Sequence, residues 1–531
     1  MVSRALMRAA RAESGQGLYV PGAMPAPVLG WNARDSLDGM APGYAVKLDN
    51  FFPYNGFVSV RAGSSLLVDG LGGRVETLAY WSDAITEKIV AGANGQLWEV
   101  SAGAKTSLGS GFTLNSWQWV QNKGTRTAAG DPTAILYLLN GADTPQAYDG
   151  ATIAPVTWTA APSQPTLDLT KLINAAISKD VLFVAERGQL GFWHSAKGQV
   201  SPAVTLSWFD LGTILPNGGE IVSIATYTVD GGAGPDDYTC FVANTGWIAV
   251  YRGGDPSDAQ AWAILGRYNL GFVLGYRSTL EIAGDVIVMT VNGYISMRQF
   301  VQIGGLLRQS FVFNDNIQPE VVRQTNDYKF AAGWQPVLMP GLTLGLFNVP
   351  QGGNRYDQHV VNTQTGAWSR IVGYNGISWL ATTQELLYGT EDGKVATANS
   401  GDTELDQSFV EADGITAFTY AGQRGVRKLW QMYRPILETA GEVSARMSVA
   451  VDFDLGSQLF SGEAAPNLQI AQWDSSEWNT SFWGGASQTK NEWLSIGQLG
   501  YSAAFRLNVR TTGSLCRWKG TDYSYSPGGL L

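Results

Sequence analysis

The chain has 531 residues, with 35 lysines plus arginines against 45 aspartates plus glutamates, a formal charge of −10. Only 15% of residues are charged and 45% are hydrophobic, alongside 64 glycines and 19 tryptophans. A core can be built from this mixture, so wholesale disorder is excluded, and the acidic balance argues against a surface that grips nucleic-acid phosphates by counterion release.

The start, Met1 to Arg11, has arginines at 4, 8 and 11 breaking every apolar stretch. A secretory signal needs an unbroken apolar centre, so the expectation is a short exposed arm on a protein made and kept in a cytoplasm. No run approaches the roughly 18 consecutive apolar residues of a membrane helix. Helical periodicity is nearly absent further on; the best candidate is the short segment Leu167 to Ile177.

The dominant unit is a β-branched or aromatic run, a glycine turn and a second run. Ile89-Val90-Ala91-Gly92 leads to Asn94-Gly95 and then Leu97-Trp98-Glu99-Val100. Asn-Gly is the strongest two-residue hairpin signal, because both turn positions favour positive φ. The unit recurs around Gly141, Gly188, Gly246, Gly293, Gly366 and Gly393, with spacings of 46, 47, 58, 47, 73 and 27. Four of these six gaps lie near the roughly 40–50-residue period of propeller blades. A lone hairpin is marginal in water, whereas small sheets packed radially bury both faces.

The expectation is therefore an all-β chain in three serial parts. An N-terminal arm spans 1–45, a β-propeller of about seven irregular blades spans 46–403, and a β-sandwich-like domain spans 404–531. The 73-residue gap after Gly293 and the 27-residue gap that follows imply irregular blades or an insertion. Ser444 to Asp454 alternates cleanly, as an antiparallel strand with one wet face does.

Candidate chemistry is sparse. Cys240 and Cys516 cannot form a disulfide framework, and no Cys-x-x-Cys metal spacing occurs. The two histidines, His194 and His359, sit on or beside strands, and no Gly-x-Ser-x-Gly elbow accompanies them. Asp452 and Asp454 share one strand face, but a hard cation needs six or more oxygens, so a solvated face is the better reading. Arg424, Arg427, Lys428 and Arg434, with Trp430 and Tyr433, form the one basic and aromatic patch. It could meet DNA or a carboxylate-rich partner, or simply be a solvated basic face beside an acidic neighbour. Trp473, Trp478, Trp483 and Trp493 form a tryptophan-dense stretch, suited to a subunit contact, a sugar platform or local packing.

Several segments carry a resemblance. Leu29 to Leu37 (LGWNARDSL), Leu48-Asp49-Asn50-Phe51-Phe52-Pro53 and Val60-Arg61-Ala62-Gly63 form one group. Gly111-Phe112-Thr113 with Trp117-Gln118-Trp119, and Asn140-Gly141 with Pro145 to Gly150, form a second. Near the end come Tyr433-Arg434-Pro435, Val451 to Asp454, Trp473 to Trp478, Trp483-Gly484, Thr521-Asp522-Tyr523 and Pro527-Gly528-Gly529. In order, these resemble the tail hub, nozzle or DNA-stabilisation proteins of short-tailed, podovirus-type phages. That resemblance implies a structural virion protein of the tail, assembled in the host cytoplasm and not an enzyme, with no cofactor. It further implies a homo-oligomer, a hexamer, forming a ring that retains packaged double-stranded DNA and conducts it non-specifically on ejection. The implied neighbours are the head-to-tail adaptor and the tail fibre, spike or needle proteins, with no membrane. Met1 to Gly22 has no counterpart in the resemblance. Two further readings are a propeller that binds or cleaves host-surface glycans, and a generic propeller scaffold for protein partners.

Overall fold

The computed structural model describes residues 19–528 apart from 84, 123–133, 231–234, 259, 283, 303–312, 441–442, 457–460, 464–487 and 491. The described chain is overwhelmingly β-strand, as expected for an all-β protein. Its contacts divide it into two compact units. The first comprises Met1–Ser65, His359–Val372 and Asn399–Leu531; the second comprises Leu66–Gln358 and Gly373–Ala398. The sequence pattern suggested consecutive parts, whereas the units interleave. The reason is strand pairing: Tyr44–Asp49 pairs with Val410–Thr416, and Val20–Pro25 pairs with Leu515–Pro527.

The second unit is a succession of six small sheets and, sixth in chain order, a hairpin at the end of a ten-stranded sheet; they are numbered I to VII in chain order. Sheet I runs in four strands from Val75–Ser82 to Ala104–Ser110, and sheet II in four from Gln118–Asn122 to Ile153–Pro155. Sheet III runs from Leu172–Ser178 to Thr205–Asp210, with Thr159–Ala160 added in parallel at its edge. Sheet IV runs from Ile221–Asp230 to Ala263–Asn269, and sheet V has three strands from Thr279–Ile282 to Gly293–Ser296. Sheet VI opens with the hairpin of Gln335–Met339 and Leu344–Pro350. Sheet VII contains Ser378–Ala381, Leu386–Gly389 and Val395–Ala398, joined at its far edge by Ser64–Val68.

Apolar cores lie between successive sheets, which buries both faces of strands too short to be stable alone. Val90, Leu97, Leu136 and Leu138 pack between I and II. Tyr137, Leu182 and Trp193 pack between II and III. Between III and IV, Phe192 stacks on Phe241 at 4.1 Å and 8°, with Phe183 and Trp262 around them. Val242, Ile248, Val288 and Ile295 fill the space between IV and V. Tyr294 of sheet V stacks on Phe347 of sheet VI at 4.3 Å and 6°. Gln335 of sheet VI exchanges hydrogen bonds with the Trp379 backbone of sheet VII at 2.7 and 3.1 Å. Val75 and Leu78 of sheet I share a core with Leu380, Leu387 and Val395 of sheet VII. The first strand of each sheet touches the first strand of the next, and that of VII touches that of I.

All seven turn glycines singled out by sequence have positive φ, from 68° at Gly95 to 125° at Gly293. Asn94 (φ 52°) and Gly95 (φ 68°) together make the expected tight hairpin turn. Gly246 is needed for a second reason: a Cβ there would lie 2.1 Å from the Gly271 carbonyl oxygen. In sheets I to V and VII these glycines sit between the second and third strands. In sheet VI that corner is instead Gly352-Gly353-Asn354, all with positive φ. The uneven spacing after Gly293 follows from this shift and from an insertion. The helices Met297–Gln302 and Gln318–Tyr328 lie between sheets V and VI.

Leu167 to Ile177, the best helix candidate, is not a helix. A 3-10 turn at Leu169–Lys171, capped by Asp168, leads into the strand Leu172–Ser178. That strand pairs with Val181–Glu186 through a turn at Lys179 and Asp180, both at positive φ. Burial on both faces of a strand removes the alternation that would have revealed it.

The ten-stranded sheet that begins with the sheet VI hairpin and Tyr356–Asn362 continues in the first unit through Trp368–Ile371, Gly30–Trp31, Tyr44–Asp49, Val410–Thr416, Ala503–Thr511, Val443–Val451 and Ser461–Glu463. The other runs Gln488–Lys490, Lys428–Ala440, Leu515–Pro527, Phe57–Val60, Phe51–Tyr54, with Leu494–Gly500 also on Lys428–Ala440. Phe505 of one sheet stacks on Tyr523 of the other at 5.3 Å, and Trp518 packs on Phe51. Charged residues cross-link the first sheet: Arg370 grips Asp49 with two hydrogen bonds of 2.8 and 2.9 Å. Asp413 takes Lys47 at 2.7 Å and Arg506 at 2.6 and 2.7 Å. The alternating strand expected to continue to Asp454 stops at Val451. Asp452 and Phe453 have positive φ, and the Asp452 carboxylate accepts the Tyr501 and Ser502 amides at 2.6 and 3.0 Å.

Candidate functional site

The basic patch lies in the first unit, and its members have separate environments. Arg424 is exposed, donates to Asp38 at 2.6 Å and lies over the Tyr420 ring at 4.8 Å. Arg434 pairs with Asp522, and its guanidinium lies 5.0 Å over the Trp493 ring. Lys428 is fully buried; its ammonium donates to the carbonyls of Gln423, Val426 (2.9 Å) and Tyr501 (3.1 Å). Burial lowers the Lys428 pKa, countered in part by Asp452. Arg427 is partly exposed, and its carbonyl accepts the Gly528 amide at 2.7 Å. Trp430 is buried between Tyr523 and Tyr525. Sequence adjacency thus suggested one positive face, but the structure brings only Arg424 to open surface, already paired. Trp473, Trp478 and Trp483 lie outside the described residues.

The histidines are packed. His194 is 5% exposed, its Nδ1 lies 3.2 Å from the Ser195 carbonyl, and burial lowers its pKa. His359 is fully buried edge-on to Trp31 at 5.6 Å, and burial with the nearby Arg370 charge pushes its pKa down to about 3. Both cysteines are buried and outside any disulfide. Among the described residues no group of three His, Cys, Asp or Glu side chains is placed to hold a metal, and no helix is long and apolar enough to cross a membrane.

A concavity in the second unit was not foreseen from sequence. It is a cavity of about 400 Å³ lined by the starts of the first strands of several sheets and the segments just ahead of them. Glu76 comes from sheet I, Gln118 from II, Glu220 from IV, Tyr276 and Arg277 from the approach to V, and Gln335 from VI. Arg277 spans the unit. One Nη1 proton goes to the Glu76 carbonyl at 2.9 Å. Nη2 donates to Thr77 Oγ1 at 3.0 Å and to the Trp117 carbonyl at 2.6 Å. Desolvation lowers the Arg277 pKa to about 10, against a smaller opposing effect of Glu76. Glu220 accepts the Tyr276 hydroxyl at 3.0 Å and the Gly188 amide at 2.9 Å. Phe272 and Phe330 meet edge to face at 5.6 Å, and the Lys329 ammonium lies 5.2 Å over the Phe330 ring. This arrangement can enclose a small molecule, offering cationic donors at one place and aromatic surface at another.

No protein-family model and no curated protein matches the chain. Among solved structures, a computationally designed protein, Ika8, is similar at 11% identity, covering 66% of this chain and 96% of its own, with a TM-score of 0.34. BBS1N, solved in complex with ARL6DN, is similar at 11% identity, covering 64% of this chain and 97% of its own, with a TM-score of 0.37. The extracellular domain of a putative hybrid two component system, BT4673, from B. thetaiotaomicron is 14% identical, covers 76% of this chain and 45% of its own, and has a TM-score of 0.38. At these TM-scores none of them bears on the fold or function of this chain.

Proposed function

We propose that this chain is a structural protein of a short phage tail, a hub or nozzle subunit that forms a ring retaining packaged DNA and conducting it on ejection. In this reading the second unit is a seven-bladed β-propeller, sheets I to VII being its blades. The first unit is a two-sheet sandwich-like domain built from both ends of the chain. The observation that carries the reading is the role of the resembling segments. Those among the described residues make turns and cross-links within the two units. Asn32 Oδ1 accepts the Arg34 and Asp35 amides at 3.0 Å. Asp49 holds Arg370, and Asn50, at φ 58°, accepts Arg61 Nε at 2.9 Å. Buried Arg61 in turn donates to the Val372 carbonyl at 2.9 Å and to Glu404. In sheet II, Asn140 Oδ1 accepts the Ala142 and Asp143 amides at 3.0 and 2.8 Å. That the resembling segments are engaged in such structural contacts supports reading the resemblance as one of architecture.

The acidic composition agrees with a conduit, because a basic lumen would hold DNA instead of letting it slide. The implied partners are further copies of the chain, as a hexamer, together with the tail adaptor and the fibre, spike or needle proteins. Mass photometry and electron microscopy of the purified chain and of assembled particles test this. A cyclic oligomer around a channel wide enough for duplex DNA is expected. Monomers at high concentration together with no ring of this chain in particles would refute it. The alternative of a propeller that binds or cleaves host-surface glycans draws on the aromatic-lined cavity, and a glycan array with a reducing-sugar assay separates the two.

A further inference from the structure

We infer that the cavity of the second unit is a binding site for a small organic anion, a carboxylate carried on a ring or comparable apolar body. Its volume of about 400 Å³ falls in the size range of small-molecule sites. Two cations line it, Arg277 and Lys329, and neither has a carboxylate at ion-pairing distance among the described residues. The two lining carboxylates are already engaged: Glu220 by Tyr276 and Gly188, and Glu76 by Arg74 at 3.6 Å. The lining carries two charges of each sign, but its carboxylates are hydrogen-bonded or paired while its two cations have no ion-pair partner among the described residues, so it is the cations that call for an anionic ligand.

Donors are free to meet that partner. A guanidinium has five N–H groups, and Arg277 gives three to protein acceptors. Its Nε–H and one Nη1–H have no protein acceptor among the described residues. Arginine recognises carboxylates through such planar donors. The apolar half of the site is Phe330, which is 80% exposed, with Phe272 against it. A large ring left that open at a cavity has surface to bury against a ligand's body. Lys329 over the Phe330 ring sets a cation beside that apolar surface, so one ligand can satisfy both. The inference stands apart from the tail-protein reading and survives its failure.

Saturation-transfer NMR on the full chain tests it. The probes are benzoate, phenylacetate and glucuronate, each beside its neutral counterpart benzamide, phenylacetamide or glucose. The aromatic acids represent a free carboxylate and glucuronate an acidic sugar, so the pattern separates the two sources. At least one acid is expected to bind, with its neutral counterpart at least about tenfold weaker. Lys329→Met, at a half-buried position, and Phe330→Ala, at an exposed one, are each expected to weaken that binding about threefold or more with the melting temperature unchanged. The inference is overturned if no acid binds up to about 20 mM, if acids and neutral counterparts bind alike, or if neither variant changes the binding.

Discussion

Arg277 offers the sharpest test of how the second unit is held together. Its guanidinium joins the approach to sheet V to the first strand of sheet I and the entry to sheet II, through three hydrogen bonds of 2.6 to 3.0 Å. Bonds from a charged donor contribute about 1.5–3 kcal/mol each, so three give about 4–9 kcal/mol. Against this stands desolvation. A pKa lowered from 12.5 to about 10 corresponds to about 3 kcal/mol against the cation at about 1.36 kcal/mol per pKa unit. The net contribution is about 1–6 kcal/mol. Arg277→Met removes both effects but strips a donor from the Glu76 and Trp117 carbonyls and from Thr77, and is expected to destabilise the unit by about 2–5 kcal/mol. That is a fall on the order of 5–15 °C in its melting transition. Arg277→Lys keeps the charge without the fork that reaches three acceptors, and should fall between. Differential scanning fluorimetry gives the shift. Because a chain of two units need not melt in one step, hydrogen exchange on peptides covering Val75–Ser82 and Gln118–Asn122 locates it. A methionine variant that melts within about 1 °C of wild type, with unchanged exchange there, would refute the account.

Lys428 is read as a structural cation, so Lys428→Ala, which leaves three carbonyls without their donor, should destabilise the first unit by about 3–5 kcal/mol in urea titration. A variant of unchanged stability that loses affinity for duplex DNA would restore the DNA-facing reading. Asp413 supplies the pH dependence. Burial alone would raise its pKa, but the hydrogen bonds and charges of Arg506 and Lys47 together hold it below the ordinary carboxylate value. A depressed folded-state pKa contributes stability that is present above the unfolded value of about 3.9 and is lost as pH falls through the folded one. The stability gap between wild type and Asp413→Asn, from urea curves at pH 3 to 7, should therefore be constant near neutrality and shrink below about pH 4. A gap independent of pH would contradict the ion-pair assignment.

How far the sequence could be read differs by element. The turn glycines were legible because positive φ is a local demand, met at 95, 141, 188, 246, 293, 366 and 393 alike. The 73-residue gap was legible as an irregularity but not as two helices, since Gln318–Tyr328 is mostly polar and buries only Val321, Gln324 and Thr325. Leu172–Ser178 was misread as helical because its neighbours cover both of its faces. The interleaving of the two units left no local trace, since Tyr44–Asp49 finds its partner strand more than 350 residues later. The basic patch shows the same limit: adjacency of Arg424, Arg427, Lys428 and Arg434 suggested one surface, but Asp38 and Asp522, remote in sequence, divide it. Arg277 was missed because its acceptors lie 160 to 201 positions away. A single arginine in Gly275-Tyr276-Arg277-Ser278 carries no signal of its own.

The pairing of Val20–Pro25 with Leu515–Pro527 has a consequence for biosynthesis. At roughly 5–20 residues per second, a ribosome takes on the order of half a minute to two minutes to travel from the first of these strands to the last. Throughout that interval the early strands of the first unit wait with open hydrogen-bonding edges, while the second unit, whose partners have nearly all emerged, is free to consolidate. The first unit therefore cannot close this pairing until Leu515–Pro527 has been made, long after Val20–Pro25.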